Sequence, residues 1–273
     1  MRRWMILAGF WLALGGGAAA AVPTWRDLDP DNTLVIDTSQ GRIVVEMRPE
    51  FAPQSVARVK LLAREEVYDG LLFHRVIDHF VDQTGNPNNH DGGTSSHPNL
   101  PPEFDFDLPP ATVDAYATHA SDGVTGFVGA SPFSATQLPR ANGALHAAGA
   151  YCAGVVGMGR EEDPASGNSE IFFMREPSRR LDRSYSVWGR VVQGLDVVRA
   201  EAVGEPPAHP DRMIKVRVLA DLAPAERPRL QVMNPRSMAF ATLLRKVRAA
   251  KGADFTICDI DVPTRPAPLA QSK

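Results

Sequence analysis

The period of the apolar positions changes several times along the chain. Residues 34–38 and 42–47 are apolar-rich runs parted by Ser39, Gln40 and Gly41, which predicts a β-hairpin. From Pro53 onward, Val56, Val59, Leu62 and Ala63 recur at helical spacing, with Arg58, Lys60 and Arg64 toward solvent; this helix is expected to stop before Gly70. Residues 71–76 and 80–83 read as strands, and the Asn- and Gly-rich residues 86–93 as a loop. Strand-like runs return at 151–158, 170–174, 186–192 and 213–219, with the polar loop 159–168 and a short helix over 195–203 between them. Side chains alternate faces along a strand, so Glu170, Phe172 and Met174 share one face.

Two regions break this rhythm. Between residues 94 and 150, Pro98, Pro101, Pro102, Pro109 and Pro110 interrupt any regular element, Ala, Gly and Ser become frequent, and periodicity is uninformative. Beyond residue 221 lies an extension in which Asn234 is the expected N-cap, Pro235 the first helical position and Gly252 the stop, followed by a strand over 254–260. No internal repeat is present. Many short strands with two or three helices argue for a closed or nearly closed β architecture rather than alternating βαβ units. The expected division is a targeting segment at 1–21, a lead at 22–33, one principal domain at 34–221 with an insertion at about 94–150, and a small α/β extension at 222–273.

Composition narrows the function classes. The 273 residues are 44% hydrophobic and 22% charged, enough to bury a real core, and the formal charge of −3 without any basic run gives no electrostatic reason to expect nucleic acid or an anionic membrane as partner. Arg2 and Arg3, the apolar residues 4–14 and the small residues 15–21 read as a secretory signal; its apolar part is far shorter than the ~20 residues that span a bilayer, so no span is expected after cleavage. An exported, periplasmic product follows. Cys152 and Cys258 are compatible with one disulfide or with two buried free thiols; a bridge would close a loop on the order of 100 residues, worth about 4–5 kcal/mol in the chain-entropy model. The seven histidines, including the pairs His74/His79 and His90/His97, match no ligand spacing, and no G-x-G-x-x-G, G-x-S-x-G or H-E-x-x-H motif occurs. Neither metal nor cofactor is expected.

The informative stretch is Phe73-His74-Arg75-Val76-Ile77, followed in register by Phe80, Val81, Gln83 and Gly85. A second block, Glu170-Ile171-Phe172-Phe173-Met174, runs without gaps through Leu181-Asp182 to Tyr185-Ser186-Val187-Trp188-Gly189. Together they resemble the cyclophilins, the barrel-shaped peptidyl-prolyl cis/trans isomerases, over residues 34–93 and 152–220. The resemblance implies a mostly β fold, an eight-stranded antiparallel β-barrel capped by two helices, with a long loop insertion and the C-terminal extension.

The chemistry explains the residue types. Amide resonance holds an X-Pro bond planar behind a barrier of ~18–20 kcal/mol, and no covalent intermediate is needed to cross it. A fixed guanidinium aimed at the proline nitrogen, which gains a lone pair as the amide twists, stabilises the transition state electrostatically. By resemblance Arg75 is that donor and Gln83 holds substrate backbone; Phe80, Val81, Phe172 and Leu181 line the proline pocket, Tyr185 stands at its rim, and Glu170, Gly159 and Arg160 are further substrate-binding residues. The chain departs from the usual family pattern at Glu170 (glutamine), Arg160 (asparagine), Tyr185 (histidine) and Arg180 (tryptophan in many eukaryotic members). Glu170 is expected to approach and pair with Arg75. The implied function is isomerisation of X-Pro bonds in unfolded or flexible segments of exported proteins; the alternative is a binding module or chaperone of the same fold with little or no isomerase activity.

Overall fold

The computed structural model describes residues 21–117, 123–136 and 139–268; the expected signal segment lies almost wholly outside them. Eight strands form the main sheet: β1 (Thr33–Thr38), β2 (Arg42–Met47), β3 (Arg75–Ile77), β4 (Val81–Thr84), β5 (Val155–Met158), β6 (Ile171–Met174), β7 (Val187–Gln193) and β8 (Met213–Val218). Their order is β8-β1-β2-β7-β5-β6-β4-β3, every neighbouring pair antiparallel. The sheet curls until its edges meet, where Phe73 N–H donates to the Asp211 carbonyl at 2.9 Å and Met213 N–H to the Leu71 carbonyl at 2.9 Å. The predicted strand at 71–76 is therefore mostly this seam, and regular pairing begins only at Arg75.

Alternation decides what fills the barrel. Leu34, Ile36, Ile43, Val45, Met47, Val156, Met158, Ile171, Phe173, Val216 and Val218 point inward, and helix α1 (Pro53–Arg64) closes the core with Val56, Val59, Leu62 and Ala63. A second helix, α2 (Leu195–Ala200), adds Val198 and ends before the predicted residue 203, because the chain turns extended at Glu201. Arg58 on α1 does not face solvent as its helical position suggests. It is buried, donating to the Pro98 carbonyl at 2.6 Å and the Asn168 carbonyl at 3.2 Å. Burying an arginine is tolerable only because carbonyls receive its N–H groups.

The outer face of the barrel is apolar too. Residues 94–150 carry more structure than a loop: short strands at Phe106–Leu108, Ala115–Tyr116, Val124–Val128, Ser131–Ala135 and Leu145–Gly149 make a second antiparallel sheet, which packs Phe127, Phe133 and Ala147 into one cluster with Phe172, Met174 and Val187. Glu103, just ahead of this sheet, accepts from the N–H groups of Gln54 and Ser55 at 2.8 Å each, capping α1 where Ala52 offers no side-chain acceptor. Elsewhere Val35, Val44 and Val192 pack against Leu219, Leu222 and Val232. Val232 belongs to a third sheet in which Leu230–Met233 lies between Trp25–Asp27 and Thr264–Pro266.

Helix α3 (Met238–Lys251) begins later than expected. Its N-cap is Ser237, whose hydroxyl accepts from Phe240 N–H at 3.2 Å, while Asn234 instead receives Arg236 N–H in the preceding turn. The expected strand over 254–260 is replaced by 3-10 turns at Gly252–Asp254 and Ile257–Asp259: Thr256 and Asp259 cap each other reciprocally, and this local closure outweighs the alternation of Phe255 and Ile257.

Glu46 ties the layers together. Its buried carboxylate accepts from Arg26 in the lead strand (2.5 and 2.8 Å), from Arg48 and from Ala130 N–H (2.9 Å). Burial alone would raise its pKa, but the two guanidinium groups hold it down at about 2. Cys152 and Cys258 are joined by a disulfide with Cα atoms 4.9 Å apart, linking the segment before β5 to the extension. Because it closes a loop of 106 residues, Cys258→Ser is expected to lower unfolding free energy by about 4–5 kcal/mol in urea titration. A loss below about 0.5 kcal/mol would show that the extension does not depend on the bridge.

Candidate active site

One row of the sheet carries most of the site. Arg75 on β3 stands opposite Gln83 on β4, Gln83 opposite Phe172 on β6, and Phe172 opposite Gly157 on β5. Residues paired this way project to the same face, here the outer one. Guanidinium, carboxamide and aromatic ring thus stand side by side without any loop having to place them. Gly157 ends the row because a Cβ there would run into the Phe172 ring. Phe173, one residue on, points the other way and packs on Phe73 inside the barrel.

A cleft on this face is lined by Arg75, Phe80, Val81, Gln83, Gly159, Arg160, Glu170, Phe172, Leu181 and Tyr185, so all ten residues expected from the sequence come together. Phe80 sits in the tight turn between β3 and β4, its ring covered by the Arg180 guanidinium 4.8 Å from the centroid. Leu181 ends a 3-10 turn fastened by Asp182, which accepts from Arg179 Nε at 2.5 Å and from Tyr151 N–H at 2.9 Å. Tyr185 meets Phe172 edge-on at 5.6 Å, and the Arg160 guanidinium lies 4.6 Å over the tyrosine ring while its Nε donates to the Ser184 carbonyl. Gly159 lies against the Glu170 carboxylate, where any side chain would collide.

The polar groups form a chain. Arg75 Nε donates to Glu205 Oε2 at 2.6 Å, and Arg75 Nη1 donates to Gln83 Oε1. Gln83 Nε2 then donates to Glu170 Oε1 at 2.8 Å, and Asn86 Nδ2 to Glu170 Oε2 at 2.6 Å. The expected Glu170–Arg75 pair does not form. Gln83 stands between them, and Glu205 takes the available edge of the guanidinium. A carboxylate only accepts, so Glu170 forces the amide of Gln83 to present nitrogen to it and oxygen to Arg75. Sequence reasoning missed Glu205 and Asn86. Asn86 follows the first motif directly, whereas Glu205 lies 130 residues from Arg75 in a proline-flanked loop with no local mark.

Behind the row, Asp82 points into the protein and receives Arg175 Nη1 at 2.9 Å. Glu201, buried near it, faces Asp211 and Thr38; burial, with Asp211 adding to it, pushes its pKa up to about 9.

The comparisons with known proteins agree with this fold. The family model described as "Cyclophilin type peptidyl-prolyl cis-trans isomerase/CLD" matches residues 33–218. The chain belongs to the cyclophilin-type isomerases. Among similar cyclophilin relatives, a probable peptidyl-prolyl cis-trans isomerase of Brucella suis is 32% identical over 79% of this chain and 95% of its own length. Peptidyl-prolyl cis-trans isomerase B of Bacillus subtilis is 29% identical over 60% of this chain and 86% of its own. The crystal structure of the cyclophilin AquaCyp293 from Hirschia baltica superimposes with a TM-score of 0.80 at 33% identity, covering 89% of this chain and 94% of that one. The chain is therefore an isomerase enzyme by family.

Removing the acceptor at Glu170 leaves Gln83 Nε2 without its partner and the amide braced by Arg75 alone. Glu170→Ala is expected to lower kcat/KM about tenfold and Glu170→Gln, which keeps an acceptor oxygen, only a few-fold; equal rates for parent and Glu170→Ala would show that Gln83 needs no such lock. Glu201 gives a pH signature. Its folded pKa lies above the unfolded value, so its contribution is complete below about pH 4.5 and is lost as pH rises toward 9. Melting temperatures of Glu201→Gln and parent are expected to converge near pH 5, with the variant gaining relative to the parent by pH 9; a constant difference across that range would contradict the assignment.

Proposed function

We propose that Arg75 is the catalytic donor of this cyclophilin, acting on the nitrogen of a proline seated against Phe172, Phe80 and Leu181. The supporting observation is the row itself: a half-exposed guanidinium is held at two of its N–H groups by Gln83 and Glu205, at the rim of an apolar cleft floored by Phe172. Among the described residues its remaining N–H groups have no partner of their own to break before meeting substrate. A donor fixed in advance requires no reorganisation as the amide twists, and this is the condition under which electrostatic stabilisation is strongest.

Val81 and Tyr185 complete the walls of the proline site in this reading. Gln83, adjoining both Arg75 and the cleft, holds substrate backbone. Gly159 and Arg160 border the part of the cleft that meets residues before the proline. Substrates are flexible X-Pro segments of other exported polypeptides, because an open surface cleft admits an extended chain. Residues 1–21 act as the signal and the mature protein works in the periplasm; a disulfide between Cys152 and Cys258 suits an oxidising compartment. Among the described residues no helix is long and apolar enough to cross a membrane. Residues 94–150 and 222–273 are additions around the barrel of 34–221 rather than separate domains.

Arg75→Ala is expected to lower kcat/KM for an X-Pro peptide by about 10²- to 10³-fold, the usual loss for one preorganised donor, with an unchanged melting temperature because the side chain is not part of the core. Two-dimensional exchange NMR of a proline peptide measures this without a coupling protease. A variant as fast as the parent would move the catalytic role elsewhere.

A further inference from the structure

Three segments that are far apart in sequence bring metal-ligating atoms together beside the row. His74 Nε2 lies 3.2 Å from Asp91 Oδ1 and 3.6 Å from Glu170 Oε2, and the three atoms fall within 4.8 Å of one another. The ligands of a tetrahedral ion bound at ~2.0–2.1 Å stand roughly 3.3 Å apart, so only a small adjustment would seat an ion among them. The imidazole is fixed: the His74 side chain is 2% exposed. Asp91 is the adaptable member, 69% exposed.

The loop that brings Asp91 is built rather than loose. Asn89 Oδ1 accepts from Leu72 N–H at 2.8 Å, Asn88 Oδ1 from His90 N–H at 3.1 Å, and Asn86 Nδ2 donates both to the His90 carbonyl and to Glu170 Oε2. Asn86 thereby registers the loop against Glu170. His74 and Asp91 open on a cavity of about 540 Å³ walled also by Arg75, His90 and Glu205. That is many times the ~30 Å³ share of one water molecule, so a hydrated ion can enter. His90 is exposed on the same wall.

We propose that His74, Asp91 and Glu170 bind a divalent transition-metal ion of the zinc class, with water completing its coordination, and that the bound ion slows the isomerase. Imidazole nitrogen with carboxylate oxygens favours zinc, cobalt or nickel over magnesium or calcium, which prefer oxygen alone. The second shell limits affinity. A metal on Nε2 moves the ring proton to His74 Nδ1, which is buried without an acceptor, and such outer partners are typically worth about 10- to 100-fold in affinity. The site is therefore micromolar and responsive to metal level, not a structural centre. Slowing follows from Glu170. A cation on Oε2 weakens the same carboxylate as acceptor for Gln83, and so loosens the amide that braces Arg75. The spacing of the histidines in sequence points away from a metal because the ligands come from β3's approach, a loop and β6's approach, not from one motif.

The site goes beyond the isomerase reading, and binding can be tested without it; only the slowing rests on Arg75 and Gln83. Titrating zinc chloride into the full chain by calorimetry is expected to give one site of micromolar Kd, with magnesium chloride giving no heat. Asp91→Ala is expected to weaken zinc binding at least tenfold while leaving the metal-free isomerase rate at the parent value. No zinc heat, or equal affinity in Asp91→Ala, would overturn the site by assigning any binding to other surface histidines. In exchange NMR, saturating zinc is expected to lower the parent rate several-fold and to slow Asp91→Ala clearly less at the same concentration. Zinc binding with no change in the parent rate would overturn the proposed link through Glu170.

Discussion

The pairing register of β3, β4, β6 and β5 is the constraint on which the site depends. Backbone hydrogen bonds place Arg75, Gln83, Phe172 and Gly157 abreast, and every other contact of the site is arranged around that line. A slip of one residue anywhere in the four strands would turn a whole strand's side chains over, bringing Asp82 or Phe173 to the outside. The inward residues resist such a slip. Val76, Ile171 and Phe173 fill the barrel, so the hydrophobic core that stabilises the fold also sets the alignment of the chemistry.

Polar side chains then refine what the register places. Arg75 is not held by one partner but stands at the end of a relay from Asn86 through Glu170 and Gln83, with Glu205 on its other edge. Each link has a defined donor and acceptor, so the amide has one favoured orientation. Replacing the family's usual glutamine by Glu170 sharpens that orientation and places a negative charge beside His74. The same substitution thus serves both the cleft and the ion site next to it.

How far the sequence foretells this depends on the range of the interactions. The hairpin at 34–47 and the helix from Pro53 follow from the spacing of apolar residues and from proline at the first helical position, and the ten cleft residues from the resemblance that two motifs carry. Where the deciding interaction is local but subtle, the sequence misleads: Ser237 displaces Asn234 as cap, and the Thr256–Asp259 box turns an alternating run into 3-10 turns. Where it is distant, the sequence is silent. Glu205, the burial of Arg58 beneath Pro98, and the cap that Glu103 lends to α1 join residues tens of positions apart or more, and their types suggest only surface charges. The sheet within residues 94–150 was hidden for another reason. Its strands are short, interrupted by prolines and rich in small residues, and they acquire their face only by packing on Phe172, Met174 and Val187.

The apolar exterior of the barrel has a consequence for how such a protein can change over generations. Val35, Val44 and Val192 point away from the barrel interior, where a bare barrel would carry polar side chains, and they are covered by Leu222 and Val232 from beyond residue 218. Once the exterior has lost its polar residues, the covering segment cannot be deleted without exposing a greasy surface, whatever the segment once contributed. Growth of this kind works as a ratchet: an appendage that began as optional becomes obligatory through substitutions in the part it shelters, and the smallest heritable unit is then larger than the smallest catalytic one.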